Sequence, residues 1–314
     1  MDGIRPENFG VNMEGRYKWL RLLFLSSFYK YKRGKIMPSN IKANNQYFGK
    51  YLERATVEHI NNSGIIIDPT QYDDLKGYSF SEEEIAYLNN EADKIATYIG
   101  KNSVASYAGN HTSTECGDII LNDNIHIELK RVSSNGSGTY HNTSIFFFKD
   151  YGYDFKDYMN QYGLYDVIEK YFPSVTVSRK NNSPVNVQTS SLIRHSDNTE
   201  GKQAIIQADE IMRTAFVKDL ATYFSNNPEM AYNFIKDMLN KVRLKTRESY
   251  KPDRFIVYNY SKDTITEINL QEIQLNINNI KNTNLGLLIG PLRIQVGWQN
   301  GVGLNNPTIR VFLR

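Results

Sequence analysis

One cysteine, Cys116, stands in a chain of 314 residues. A single thiol excludes an intrachain disulfide and a cysteine-based zinc cluster, and it suits a reducing cytoplasm, the expected location. No base partner is recognisable beside it, so it reads as a bystander and not as a nucleophile. Histidine is scarce too. The five, His59, His111, His126, His141 and His195, show neither H-x-x-x-H nor H-E-x-x-H spacing, which argues against a zinc hydrolase built on imidazoles. No G-x-x-x-x-G-K-[ST] phosphate loop occurs, so ATP is not an expected requirement. Long apolar runs are missing as well. Residues 17–28 are basic and apolar, interrupted by Arg21 and followed by the strongly basic residues 30–35, which is too short and too charged to span a bilayer. No small-residue cleavage site follows, as a secretory signal would need.

An excess of one charge is nearly absent. The net charge is +3; residues 1–40 hold eight Lys/Arg and three Asp/Glu, so the rest of the chain is net −2. Global charge therefore says nothing about nucleic acid. Locally, Lys241, Arg243, Lys245, Arg247, Lys251 and Arg254 fall within fourteen residues, against only Glu248 and Asp253. Such a cluster can track a phosphate backbone, and a solvated helix end can look the same.

What remains is ordinary globular material, 40% hydrophobic and 23% charged, enough to bury a large core without staples. The domain pattern begins near Gln46. Residues 1–36 read as an extension, either an amphipathic helix docked on the domain or a leader ahead of a start at Met37, and residues 37–314 read as the domain. Helices are expected over 46–62, from the capping box Ser81-Glu82-Glu83-Glu84 to near Gly100, and over 157–172, 201–224 and 228–242, the last with Pro228 in its first turn. Strands are expected at 145–148, 254–260, 264–270, 285–289, 292–298 and 308–313; residues 181–199 are polar and read as loop. The class is α/β, a central mixed sheet flanked by helices with a β-rich carboxy-terminal part.

Residues 117–130 carry the chemistry. Apolar residues alternate on both sides of Asn122-Asp123-Asn124, a turn-forming triplet, so the segment reads as a β-hairpin with Leu121 facing Ile125 and, counting outward, Asp118 facing Glu128. Lys130 joins their face because the strand repeat is two. That face carries Asp118, His126, Glu128 and Lys130, with Ile120 its one apolar residue; Ile119, Leu121, Ile125, Ile127 and Leu129 form the opposite stripe. A slip of one residue would turn the carboxylates into the core, so the pattern resists it. Two carboxylates with a lysine suit Mg²⁺ chemistry, because this hard ion is commonly held by one or two carboxylates, waters and substrate phosphate oxygens. Asp118 and Glu128 would hold the metal, and Lys130 would orient or help deprotonate the attacking water, or balance charge on the phosphate.

In these residues the chain resembles the PD-(D/E)xK nuclease superfamily, and within it the type II restriction endonucleases. Asp118 matches the first acid of the motif and Glu128-Leu129-Lys130 its second half, across a nine-residue gap. Gly117 stands where the motif name has proline. A helix before the hairpin often adds a glutamate in such enzymes, and Gly49-Lys50-Tyr51-Leu52-Glu53-Arg54 resembles it, making Glu53 a catalytic candidate with Glu58 behind it. The triplets Asp74-Leu75-Lys76 and Asp154-Phe155-Lys156 also fit a bare (D/E)xK, but neither lies in an alternating apolar strand.

The resemblance implies Mg²⁺-dependent, site-specific cleavage of double-stranded DNA, a homodimer matched to a palindromic site, and a cognate DNA methyltransferase that protects the host. Recognition elements are expected in 131–144, 181–213 and 241–314. In the first, Ser134, Asn135, Ser137, Tyr140 and Asn142 surround two glycines that let backbone approach phosphates. In the last, Lys245 and Arg247 are phosphate candidates, and Gln299, Asn300, Asn305 and Arg310 have side chains that can pair with purine edges. Arg194, His195, Gln207 and Arg213 are weaker candidates. A structure-specific or repair nuclease of the same fold, and a catalytically silent DNA-binding protein that keeps the hairpin as scaffold, are the rival readings.

Overall fold

Two five-stranded sheets organise the chain. The computed structural model describes residues 45–109, 116–133, 138–180, 183–299 and 301–314, so the expectation for residues 1–36 lies outside them. The strands in chain order are β1 (Ala105–Tyr107), β2 (Ile119–Leu121), β3 (Ile125–Val132), β4 (His141–Ser144), β5 (Arg254–Asn259), β6 (Thr264–Asn269), β7 (Lys281–Thr283), β8 (Gly286–Ile289), β9 (Leu292–Trp298) and β10 (Pro307–Leu313). The helices are α1 (Asn45–Ile60), α2 (Glu82–Ile99), α3 (Phe155–Gln161), α4 (Leu164–Tyr171), α5 (Val187–His195), α6 (Thr199–Asn226) and α7 (Pro228–Leu239).

The first sheet runs β1-β2-β3-β5-β6 and is mixed, because β3 and β5 pair in parallel while every other pairing is antiparallel. Phe255, Ile256, Val257 and Tyr258 of β5 are all buried, as expected of a strand covered on both faces. The second sheet runs β4-β10-β9-β8-β7 and is antiparallel throughout. Class α/β with a β-rich carboxy-terminal part is therefore observed.

Helix α1 buries Phe48, Tyr51, Leu52, Ala55 and Ile60, the three- and four-residue spacing of an inward face. It meets α2 through Asn89, whose side-chain amide donates to the Tyr51 hydroxyl at 2.7 Å. The capping box forms: the Glu84 N–H donates to Ser81 Oγ at 3.2 Å, and the Ser81 N–H donates to Glu84 Oε2 at 2.9 Å. A buried ion pair ties α2 to β3, with Arg131 Nε donating to Glu91 Oε2 at 2.7 Å. Arg131 points into the apolar side of the hairpin, and Glu91 is what makes a guanidinium tolerable there.

Several elements differ from expectation. Residues 145–148 are not a strand; Ile145–Tyr151 is a 3₁₀ run that buries Ile145, Phe146, Phe147 and Phe148 in the core. An unbroken apolar run has no period by which to tell a strand from a buried helical turn. The helix expected over 157–172 is divided into α3 and α4 at Gly163, which sits at φ +66°. The polar stretch 181–199 contains α5, started by Asn186, whose side chain accepts from the Thr189 N–H at 2.8 Å. Across the main core, Asp209 and Arg213 of α6 form a buried pair that also binds β9: Trp298 Nε1 donates to Asp209 Oδ1 at 2.7 Å, and Arg213 donates to the Val296 carbonyl at 2.9 Å. Among the described residues no helix is long and apolar enough to cross a membrane.

Candidate active site

The hairpin has the register its alternation predicts. Leu121 pairs with Ile125, Ile120 with His126 and Ile119 with Ile127, and Asn122 and Asp123 turn the chain at φ +51° and +61°. Ile119, Leu121, Ile127 and Leu129 are buried. Gly117, the residue before Asp118, adopts φ +78° and lies so close to β3 that a Cβ there would sit 2.8 Å from the Ile127 carbonyl oxygen. Proline, locked near φ −65°, could not take this conformation, which explains the glycine in the position where the motif is named for proline.

Lys130 bridges the two acids. Its ammonium lies 3.2 Å from Asp118 Oδ2 and 2.6 Å from Glu128 Oε1. The same Asp118 oxygen accepts from the Leu129 N–H at 2.9 Å. Glu53 of α1 joins them electrostatically: burial first, and then the negative charge of Asp118, hold its carboxyl well above the usual range. Glu58 does not join; it accepts from the Ser63 hydroxyl at 2.8 Å near the end of α1. Nor does the His126 ring, which lies 2.9 Å from the Cys116 carbonyl through Nδ1.

A residue outside the expected set completes the cluster. Lys241, just past α7, places its ammonium 2.8 Å from Glu128 Oε2, with the side chain only 12% exposed. Glu128 thus has a lysine on each oxygen. Burial opposes its ionisation, but Lys130 and Lys241 outweigh burial and bring its carboxyl down to about 2. Asp118 moves the other way, raised chiefly by burial despite Lys130. Burial works against a charged Lys130, yet Asp118, Glu128 and Glu53 overcome it and hold the ammonium above its ordinary range. In the basic segment Lys241 looked like one lysine among several; what separates it is its contact with Glu128, which is not visible in residue types.

The donor set fits Mg²⁺. Two carboxylates converge on one ammonium, so a positive charge already stands where a cation would be held, and the third acid borders it. Among the described residues no group of three or more His, Cys, Asp or Glu side chains is gathered as a ready-made cage, and Mg²⁺ asks for less, since it keeps waters and takes substrate oxygens. The rival triplets are engaged elsewhere: Asp74 pairs with Arg54 at 3.1 Å, and Asp154 caps α3 and binds Lys149 at 2.7 Å.

The expected DNA contacts divide sharply. Ser134, Asn135, Ser137 and Asn300 lie outside the described residues. Tyr140 is buried, its hydroxyl donating to the Leu239 carbonyl at 2.6 Å, so it is a structural residue and not a surface contact. Asn305 is likewise buried, its amide donating to Ser190 Oγ at 3.1 Å. Arg213 is buried against Asp209, whereas Arg247 pairs with Asp150 and Asp237, each at 3.0 Å, with its side chain half exposed. Lys245, Gln299, Arg194, His195 and Gln207 are exposed. Asn142 and Arg310 are brought together as direct cross-strand partners, and Arg310 also pairs with Gln295 of β9. Cross-strand partners share a face, so Asn142, Arg310 and Gln295 form a polar row on the second sheet; Gln295 was not anticipated.

The loop after β3 returns toward the site at Gly138, where φ is +55° and a Cβ would sit 3.0 Å from Lys130 Cβ. Any larger residue would press on the bridging lysine. No family model, no curated protein and no solved structure matches the chain.

Proposed function

We propose that the chain is a Mg²⁺-dependent endonuclease that hydrolyses double-stranded DNA at a specific site, with a restriction-endonuclease-like core of the PD-(D/E)xK type. The single observation that carries the reading is the ammonium of Lys130 shared by Asp118 and Glu128 across the hairpin. The raised carboxyl of Glu53 beside it is the fourth member that the resemblance implies.

Asp118 and Glu128 would hold the cation, with Glu53 on the acidic side of the cluster. Bound Mg²⁺ would lower the pKa of a coordinated water and neutralise charge that grows on the phosphate during in-line attack. Lys130 enters as an ammonium. Its work is therefore to orient the water and to donate toward a phosphate oxygen, since a base would need its proton gone. Asn142, Arg310 and Gln295 supply a row of side chains able to pair with base edges. Cutting both strands with one such site per chain calls for a homodimer, and specificity of this kind calls for a DNA methyltransferase that protects the host's own sites.

The test is incubation of the full chain with mixed-sequence plasmid or phage DNA, with Mg²⁺ or with EDTA, resolved on a gel. Discrete Mg²⁺-dependent bands are the expected result. A smear would reassign the chain to structure-directed or nonspecific cleavage, and intact DNA under both conditions would overturn the reading.

A further inference from the structure

Glu128 is gripped from two directions by residues of different origin. Lys130 approaches along its own strand, whereas Lys241 comes from a turn 113 residues away in sequence. That turn is firmly built. The Lys241 N–H donates to the Met238 carbonyl at 3.2 Å, the Val242 N–H to the Asp237 carbonyl at 3.0 Å, and the Tyr250 N–H to the Asn240 carbonyl at 2.9 Å. Tyr140, the residue before β4, supports it through the Leu239 carbonyl, and the Lys241 ammonium lies 5.0 Å from the centre of the Tyr140 ring. A non-glycine residue at φ +49° persists where its surroundings over-determine it, and such positions concentrate at functional sites. Glycine would satisfy that backbone more easily.

We propose that Lys241 is a place-holding cation: it occupies Glu128 until a divalent metal arrives, and then gives up the carboxylate and turns to the incoming phosphate. This rests on the metal-dependent reading of the site. Lys130 and Lys241 already balance Asp118 and Glu128, so a metal entering alone meets a compensated cluster and must displace an ammonium. A phosphate entering with the metal offsets part of the added charge and accepts that ammonium. Orientation of Glu128 does not depend on Lys241, because Lys130 holds the other oxygen. Removing Lys241 therefore leaves the carboxylate in place and removes only the competitor.

The test uses the full chain with Lys241→Asn, which suits left-handed backbone and is too short to reach Glu128, and with Lys241→Gly as a second variant free of backbone strain. Mn²⁺ affinity is measured by calorimetry without DNA, and plasmid-fragment binding by gel shift in EDTA and in Ca²⁺. Both variants are expected to bind Mn²⁺ about tenfold more tightly and to lose DNA affinity in Ca²⁺ but not in EDTA. Unchanged or weaker Mn²⁺ binding overturns the proposal, and so does an equal loss of DNA affinity in both buffers. Asp118→Asn, measured in parallel, separates the two layers. If it binds Mn²⁺ as the unaltered chain does, the metal site itself is wrong; if it loses the metal while Lys241→Asn gains nothing, only the role of Lys241 falls.

Discussion

The hydroxyl of Tyr140 donates to the carbonyl of Leu239 at 2.6 Å, two residues ahead of Lys241. This one bond ties the entry of the second sheet to the turn that delivers the second lysine to Glu128. Tyr140→Phe is expected to lower stability by about 1 kcal/mol, the usual net worth of one such bond, read by urea unfolding. Because the two groups share a turn, its effect should be smaller in a Lys241→Asn background. Strict additivity of the two changes would show that the bond does not support the lysine.

Asp118→Ala, Glu128→Ala and Lys130→Ala should each abolish cleavage of plasmid DNA while circular dichroism remains that of a folded chain. The stability effects should differ. Glu128→Ala strands Lys241 in a nearly enclosed position and is expected to be the most destabilising of the three, by a few kcal/mol at most. Full cleavage activity in all three variants would remove the hairpin from the chemistry.

Glu53 sets the response to pH. Its carboxyl is raised by burial and by Asp118, so between its ordinary value of 4.5 and its value in the folded chain, the unfolded state has released a proton that the folded state keeps. Stability contributed by the neutral form is therefore lost as pH rises through that window. In EDTA, Glu53→Gln should melt at a higher temperature than the unaltered chain at pH 8, and at nearly the same temperature at pH 4. Mg²⁺ should stabilise the unaltered chain more at pH 8 than at pH 5, because the metal competes with that proton. Equal melting at pH 8, with and without the substitution, would contradict the burial of Glu53.

How much of this was legible follows from the range over which each feature is decided. The hairpin was readable from fourteen residues because alternation and turn chemistry are local, and Asp118, Glu128 and Lys130 meet as parity requires. Glu53 was readable through the resemblance, not through spacing. Lys241 was not, since no local pattern links residue 241 to residue 128. Tyr140 and Asn305 were misread for the complementary reason: polar groups suited to DNA are equally suited to satisfying buried backbone and hydroxyl partners, and only burial separates the two uses.

The Asp209, Arg213 and Trp298 cluster offers a control away from the site. Asp209→Ala leaves the Trp298 indole N–H without its acceptor and a buried guanidinium without its counter-charge, holding only the Val296 carbonyl. It should cost about 3 kcal/mol or more, lowering the denaturation midpoint while the Mn²⁺ affinity of the chain that remains folded is unchanged. A stability loss below about 1 kcal/mol would mean that solvent replaces the carboxylate.

The parallel pairing of β3 with β5 has a consequence for how the chain is born. The strand that bears Glu128 and Lys130 finds its inner neighbour only at residues 254–259, and Lys241 lies just ahead of them. A ribosome that has delivered the hairpin has therefore not yet delivered the support on which that hairpin rests. Pairings so distant in sequence form late. A truncated product ending before residue 241 would carry Asp118, Glu128 and Lys130 without Lys241 and without the strand that β3 pairs with, so synthesis order separates the making of the acids from the assembly of the cluster around them.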